Sequence, residues 1–159
     1  MERVSFDPVL PVSPKVFIIG TMPGKQSLRK QEYYANKRNS FWKIIYELTE
    51  TVFSENYAER IDTLKRNHIA IWDICQFGER KTSLDSDIKN EEPNPIIEIV
   101  EMFPSVKLIL FNGKKAEKLY RKYFSEIDHI KYETVLSTSP ANARYSFREK
   151  LNNWKTVML

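Results

Sequence analysis

Cysteine is nearly missing from this chain. Cys75 stands alone among 159 residues, which excludes an intramolecular disulfide, a cysteine-ligated zinc site and a four-thiolate iron–sulfur cluster. A reducing compartment is the natural setting, so the cytoplasm is the expected location. Long apolar runs are missing too. No stretch approaches the ~20 apolar residues of a membrane span, and the opening MERVSFDPVLPVSPK has no apolar segment of signal-peptide length. The expectation is a soluble intracellular protein with no membrane partner. The chain has no G-x-x-x-x-G-K-[ST] loop and no evident metal-ligating cluster, which weighs against a nucleotide hydrolase and predicts no metal. His68 and His129 lie outside every motif and are assigned to the surface. There is no internal repeat and no low-complexity tract.

What the chain does have is apolar mass and unevenly placed charge. Hydrophobic residues make up 42% of the sequence, ample for a core, and the length fits one domain spanning 1–159. The net charge of +4 permits a polyanionic partner, and its distribution says more than its sum. From Lys15 to Lys43 seven basic residues face Glu32 alone, whereas Glu47 to Asp62 and Glu79 to Glu101 are rich in acids. Such clustering is the footprint of phosphate contacts.

That basic region coincides with the stretch around which the chain is organised, VFIIGTMPGKQSLRKQEYYANKRNSFW from Val16 to Trp42. Val16 to Ile19 read as a buried strand, and Gly20-Thr21-Met22-Pro23-Gly24 breaks it into a loop. The loop carries Ser27, Tyr33, Tyr34 and Asn39 among Lys25, Arg29, Lys30, Lys37, Arg38 and Lys43. Aromatic faces, amides and cations are the parts that hold a base and its phosphates, so this is read as a nucleic-acid site.

Pro8, Pro11 and Pro14 make the first fifteen residues an extended lead-in. Phe41, Trp42, Ile44, Ile45 and Leu48 predict a helix with Asn39 or Ser40 placed to cap it, and a second helix is expected over Asn56 to Arg66. Ile69 to Trp72 is strand two. Asp73 to Asn94 reads as a long irregular loop holding Arg80, Lys81, Ser83 and Asp85. A helix at Pro95 to Met102, strand three at Lys107 to Phe111, a helix through Ala116, Leu119, Tyr120 and Tyr123, strand four at Tyr132 to Leu136 and a last helix with Phe147, Leu151 and Trp154 complete the chain. Alternating strands and helices imply an α/β fold with a mainly parallel sheet covered on both faces, its ligand beyond the carboxyl ends of the strands.

GTMPGKQS after the first strand, YYANKRNSFW entering a helix and LSTSPANAR after the last strand together resemble the uracil-DNA glycosylase superfamily, most closely its hypoxanthine-DNA glycosylase branch. IWDIC, the run from Ser83 to Ile88 and LFNGKKA also resemble that branch, so the likeness spans nearly the whole chain. The resemblance implies a three-layer α/β/α sandwich around a four-stranded parallel sheet, a monomer, and cofactor-free hydrolysis of the N-glycosidic bond of a damaged base in DNA. Uracil-specific members carry a catalytic Asp, and mismatch-specific members an Asn, where this chain has Met22. A thioether can neither polarise nor orient a water. In the hypoxanthine branch the catalytic Asn lies in the motif resembling Arg38-Asn39-Ser40-Phe41-Trp42, which transfers the role to Asn39; spacing alone equally makes Asn39 a helix cap.

The resemblance aligns Tyr34 with the aromatic residue that stacks on a flipped base, with Tyr33 as its neighbouring candidate, although either ring also suits a core. Asp73 matches the slot where uracil-specific members place a base-reading Asn. An ionised carboxylate there accepts from the N1–H of hypoxanthine or the N3–H of uracil and repels the bare N1 of adenine; a turn cap at the strand end is the plain alternative. Asn112 is a second base-edge candidate, or simply an Asn-Gly turn. Ser137, Thr138, Ser139 and Pro140 look like the superfamily's second motif, whose loop presses on phosphates and fills the space left by the flipped nucleotide, with Asn142 beside them and Ser27 clamping from the other side. Arg144 fits a phosphate or the gap left by the flipped nucleotide. Lys25, Arg29, Lys30, Lys37 and Arg38 are diffuse backbone contacts. A uracil or xanthine glycosylase and a non-catalytic nucleic-acid-binding module are the competing readings.

Overall fold

A computed structural model describes residues 4–82 and 84–158, so Ser83, expected in the long loop, lies outside the described residues. The apolar runs form a four-stranded parallel sheet of β1 (Val16–Gly20), β2 (Ile69–Asp73), β5 (Leu108–Asn112) and β6 (Lys131–Val135), in the order β2-β1-β5-β6. The register pairs Gly20 with Asp73, Ile19 with Phe111 and Asn112 with Val135, which brings the carboxyl ends of all four strands to one edge. The lead-in runs along the outer edge of β2, where Val9 and Ile71 exchange backbone hydrogen bonds of 2.9 and 3.2 Å. An otherwise open strand edge is thereby covered.

Alternation along the strands sorts the core into two layers. Ile18, Ile71 and Leu110 face one side, against α2 (Phe41–Leu48), α3 (Tyr57–Arg66) and α6 (Phe147–Met158), which contribute Phe41, Ile44, Ile45, Leu64, Leu151 and Trp154. Phe17, Ile19, Ala70, Ile109 and Phe111 face the other, against α4 (Ile96–Glu101) and α5 (Lys114–Tyr123), which contribute Ile96, Val100, Ala116, Leu119 and Tyr120. This is the three-layer α/β/α sandwich. Among the described residues no helix is long and apolar enough to cross a membrane.

Two stretches depart from the expected loops. Lys25–Lys30 is a short helix, α1, that carries Ser27 on its buried side. The region after Asp73 is ordered as an antiparallel hairpin of β3 (Cys75–Glu79) and β4 (Lys89–Pro93), with a 3-10 turn at Asp85–Asp87 between them. Its pairing is interrupted by register shifts on both sides of Phe77, and its strands CQFGE and KNEEP are too polar to announce a period of two.

Candidate functional site

The sheet edge that collects the strand ends opens into a cavity of about 330 Å³, within the range of small-ligand sites. It sits where the order reverses, β1 being flanked by β2 on one side and β5 on the other. Of the residues singled out from sequence, Asn39, Tyr34, Tyr33, Asp73, Asn112, Met22, Lys25, Ser27, Ser137, Ser139 and Pro140 line it. Arg38, Asn142 and Arg144 do not. Both histidines are exposed.

Asp73 ends β2, and it can sit there because its neighbour on β1 is a glycine. A Cβ added at Gly20 would lie 2.5 Å from Asp73 Oδ1 and 3.1 Å from the Tyr34 hydroxyl. The Asp73 backbone carbonyl accepts from Asn94 Nδ2 at 2.8 Å, while among the described residues no side chain hydrogen-bonds its carboxyl. Burial first, and then the charge of Asp85, push that carboxyl up to about 7, with Arg80 pulling the other way. Near neutral pH the protonated carboxyl therefore competes with the ionised form. This tempers the expectation of a simple carboxylate.

Tyr34 adopts a left-handed backbone, φ 53°, a conformation that bulky residues rarely take. The turn lays its ring on Phe41 with centroids 3.9 Å apart and 19° between planes. Its hydroxyl accepts from Asn112 Nδ2 at 3.4 Å, and burial raises its pKa, so it remains a neutral phenol. Tyr33 is more deeply committed. Its hydroxyl donates to the Asp7 carbonyl at 2.7 Å, its carbonyl accepts from Trp42 Nε1 at 2.9 Å, and Phe6 packs edge-on against its ring. Tyr33 is a core residue whose ring also reaches the cavity wall.

Asn39 precedes α2, and its Oδ1 accepts from Phe41 N at 2.9 Å. It thus satisfies one of the unpaired donors at the helix start, while Ser40, in the cap position, makes no side-chain cap bond. The amide still faces the cavity. Since a carbonyl oxygen has two lone pairs, Oδ1 can accept from a water as well. The capping and cavity-lining positions coexist in one side chain.

Asn112 is the last residue of β5 rather than part of a free turn, and its amide, besides reaching the Tyr34 hydroxyl, holds the loop after β6. Its Oδ1 accepts from Thr138 N at 3.0 Å, and its Nδ2 donates to Thr138 Oγ1 at 3.0 Å. That loop is fixed from several sides. Ser40 N donates to the Thr138 carbonyl at 3.0 Å, Asn142 Nδ2 to the Ser137 carbonyl at 3.2 Å, and Lys150 Nζ to the Ser139 carbonyl at 3.3 Å. Opposite it, Ser27 Oγ accepts from Ala35 N at 3.1 Å. This bond holds α1 to the segment carrying the tyrosines.

Sequence reasoning noted Arg80 and Asp85 only as loop residues and passed over Thr21 and Lys150. Arg80, its side chain 7% exposed, donates to Asp85 Oδ1 at 3.0 Å and to the Pro23 carbonyl at 3.0 Å, while Thr21 Oγ1 donates to the same Asp85 oxygen at 2.8 Å. The hairpin is thereby fastened to the loop after β1. The contacts to Thr21 and Pro23 span 64 and 57 residues, so no local signal announces them. Lys150 is buried, which lowers its pKa, and it lies eleven residues from its loop partner.

Comparison with known proteins gives a consistent result. The family model described as Uracil DNA glycosylase superfamily matches residues 8–159. The chain is 37% identical, over 97% of its length and 96% of the relative's, to a hypoxanthine DNA glycosylase of Methanosarcina barkeri, and 36% identical, over 99% and 98%, to one of Methanosarcina acetivorans. A solution NMR structure of a uracil DNA glycosylase candidate from Methanosarcina acetivorans superposes with a TM-score of 0.77 at 32% identity, covering both chains completely.

Proposed function

The chain belongs to the uracil DNA glycosylase superfamily, and on that premise we propose that it is a monofunctional DNA glycosylase that hydrolytically excises hypoxanthine from DNA. It acts as a single domain, 1–159, monomeric and cytoplasmic. The observation that carries this reading is the convergence of Asn39, Tyr34 and Asp73 on one cavity, in a chain similar along its whole length to hypoxanthine DNA glycosylases.

The reaction needs the target nucleotide outside the duplex, a stacking surface, a reader for the base edge and a placed water. Tyr34, buttressed from behind by Phe41, offers its other face to the flipped base. Asp73, with its carboxyl unspent, accepts from N1–H of hypoxanthine when ionised. Adenine presents a bare N1 there and is repelled. Asn112 shapes the pocket through Thr138 instead of reading the base itself.

Bond breaking places an oxocarbenium-like charge on the sugar, so the attacking water needs position more than activation. Asn39 Oδ1, oriented by Phe41 N–H, accepts one hydrogen of that water and aims its oxygen at C1′. The C1′–N9 electron pair leaves with the purine, which gains a proton, and hydroxide equivalent from the water completes the abasic sugar. Ser27, Ser137, Ser139 and Pro140 border the flipped nucleotide's phosphates, with Lys25 at the rim, while Arg38, Asn142 and Arg144 serve the DNA on either side.

Uracil is the second reading, because its N3–H matches the same acceptor. The test is incubation with duplexes carrying one deoxyinosine, deoxyuridine or deoxyxanthosine, followed by alkali. Cleavage dominated by deoxyinosine is expected; cleavage confined to deoxyuridine or deoxyxanthosine replaces the substrate, and none at any lesion contradicts the glycosylase reading.

A further inference from the structure

A lysine is rarely buried, because an ammonium taken out of water destabilises the fold unless an anion meets it. Lys150, near the start of α6, is 4% exposed and lines neither the cavity described above nor the one beside it. Among the described residues no carboxylate pairs with it. Its Nζ makes one bond, to the Ser139 carbonyl at 3.3 Å, and burial alone acts on its pKa, lowering it. The neighbouring Glu149 is turned to the helix start, where its Oε1 accepts from Ser146 N at 3.1 Å.

The loop after β6 does not need that charge for its shape. The Ser139 carbonyl already accepts from Asn142 N at 3.0 Å. α6 grips the base of the loop separately, Asn153 Oδ1 accepting from Leu136 N at 2.8 Å and Trp154 Nε1 donating to the Leu136 carbonyl at 2.9 Å. An uncharged side chain in place of Lys150 would leave all of these bonds standing.

What the loop lacks is a cation facing the first cavity. Its N–H groups from Thr138 to Asn142 are spent within the protein: Thr138 N on Asn112 Oδ1, Ser139 N on Ser137 Oγ, Ala141 N on Ser139 Oγ and Asn142 N on the Ser139 carbonyl, while Pro140 has none. Ser137 and Ser139 thus present to that cavity hydroxyls that accept from the loop and retain a hydrogen to donate. Arg144 lines only the second cavity, its Nη2 3.2 Å from the Tyr145 hydroxyl. The cations lining the first, Lys25, Arg29 and Arg80, come from α1 and the β3–β4 connection. An anion seated on Ser137 and Ser139 meets neutral hydroxyls in front and Lys150 behind.

Building on the glycosylase reading above, we propose that the Lys150 ammonium is the counter-charge, acting through the loop from its α6 side, for the DNA phosphate that Ser137 and Ser139 receive. Lys150 is a positioning residue and touches neither base nor sugar. Held away from solvent, its charge is weakly screened and acts across the thickness of the loop. The free protein bears an unpaired buried cation until DNA supplies the anion. Removing the charge therefore weakens DNA binding and leaves the free protein at least as stable, the opposite of what a purely structural lysine would show.

The experiment measures binding of the wild type, Lys150→Met and Lys150→Arg to a duplex with one 2′-fluoroarabino deoxyinosine, whose fluorine slows bond cleavage. The same duplex is then made with a neutral methylphosphonate in place of each phosphate flanking that nucleotide in turn. Denaturation midpoints of the free proteins and excision of unmodified deoxyinosine by the wild type accompany it. Lys150→Met is expected to weaken binding to the all-phosphate duplex about tenfold, and Lys150→Arg to recover most of it. At one flanking position the methylphosphonate costs the wild type a similar factor and costs Lys150→Met little more, while the denaturation midpoint of Lys150→Met is unchanged or raised. Unchanged affinity, losses that simply add at every position, or a destabilised Lys150→Met overturn the role of Lys150 and leave the glycosylase reading standing. No excision of deoxyinosine by the folded wild type overturns both.

Discussion

Two walls of one cleft hold their key side chains by opposite means. Asn39, on the wall that runs from Gly20 to Ser40, is half-exposed and oriented by one hydrogen bond to Phe41 N. Asp73, on the wall built by β2 and the hairpin, is buried between Gly20, Asp85 and Arg80, its ionisation opposed by burial and by a like charge. The first arrangement holds an amide at the cavity at little structural expense. The second keeps a poorly solvated carboxyl at the same cavity at some cost to the fold. Substitutions on the two walls are therefore expected to separate rate from stability.

The largest effect is expected at Asn39. Asn39→Ala lowers the single-turnover rate of excision about 100-fold or more, since placement of the water is lost. Its DNA affinity stays within a few-fold, and its stability falls by only about 0.5–2 kcal/mol for the lost bond at the helix start. Rapid-quench kinetics beside equilibrium DNA binding separates the two. A parallel fall in rate and affinity breaks the contrast between the walls.

Gly20→Ala comes next and tests the other wall. Its Cβ would stand 2.5 Å from Asp73 Oδ1 and 3.1 Å from the Tyr34 hydroxyl, so both side chains must shift. Excision falls by about tenfold or more, and stability by about 1–3 kcal/mol, as overpacking commonly costs. Chemical denaturation and excision rates should move together, in contrast to Asn39→Ala.

Asp73→Asn sharpens the comparison through pH. The folded state raises the carboxyl from an ordinary 3.8 to about 7, so between those values the folded protein holds a proton that the unfolded chain releases. Stability is consequently lost as pH rises through that window. Asp73→Asn removes this part of the slope and gains roughly 2–4 kcal/mol at pH 8. Denaturation midpoints from pH 4 to 8 check this. The same variant should narrow the preference for hypoxanthine over adenine several-fold, because the amide no longer repels N1.

The smallest effects are expected among the rim cations. DNA binding should weaken steeply with salt, and Lys25→Ala should lower the logarithmic salt slope by about one. A titration at several salt concentrations reads that slope directly.

The sequence exposed the parts of this cleft that rest on dense local pattern. VFII, IAIW and KLILF mark buried strands by apolar continuity, and Phe41, Ile44, Ile45 and Leu48 mark a helix by period. Tyr34, Asn39 and Asp73 are singled out by the family resemblance of their motifs, and the structure brings all three to one cavity. The hairpin was not legible: its strands are polar, half-exposed and bulged, and its order comes from Arg80 and Thr21 gripping Asp85 across the fold. Nor was α1, six residues whose one large apolar side chain, Leu28, is exposed. Its stability is tertiary, through Ser27 and Ala35. Asn112 is legible only in part, for a related reason. Asn-Gly advertises a turn, and Gly113 does take φ 97°, but the Asn side chain is engaged twenty-six residues away at Thr138.

The measurement that bears most directly on the central claim is single-turnover excision of deoxyinosine from an end-labelled duplex by the wild type and Asn39→Ala, with the released base identified by mass. The account predicts free hypoxanthine and an alkali-labile abasic site from the wild type, and DNA binding with little or no base release from Asn39→Ala. Equal release by both proteins would remove Asn39 from the mechanism, and no release by a folded, DNA-binding wild type would contradict the account itself.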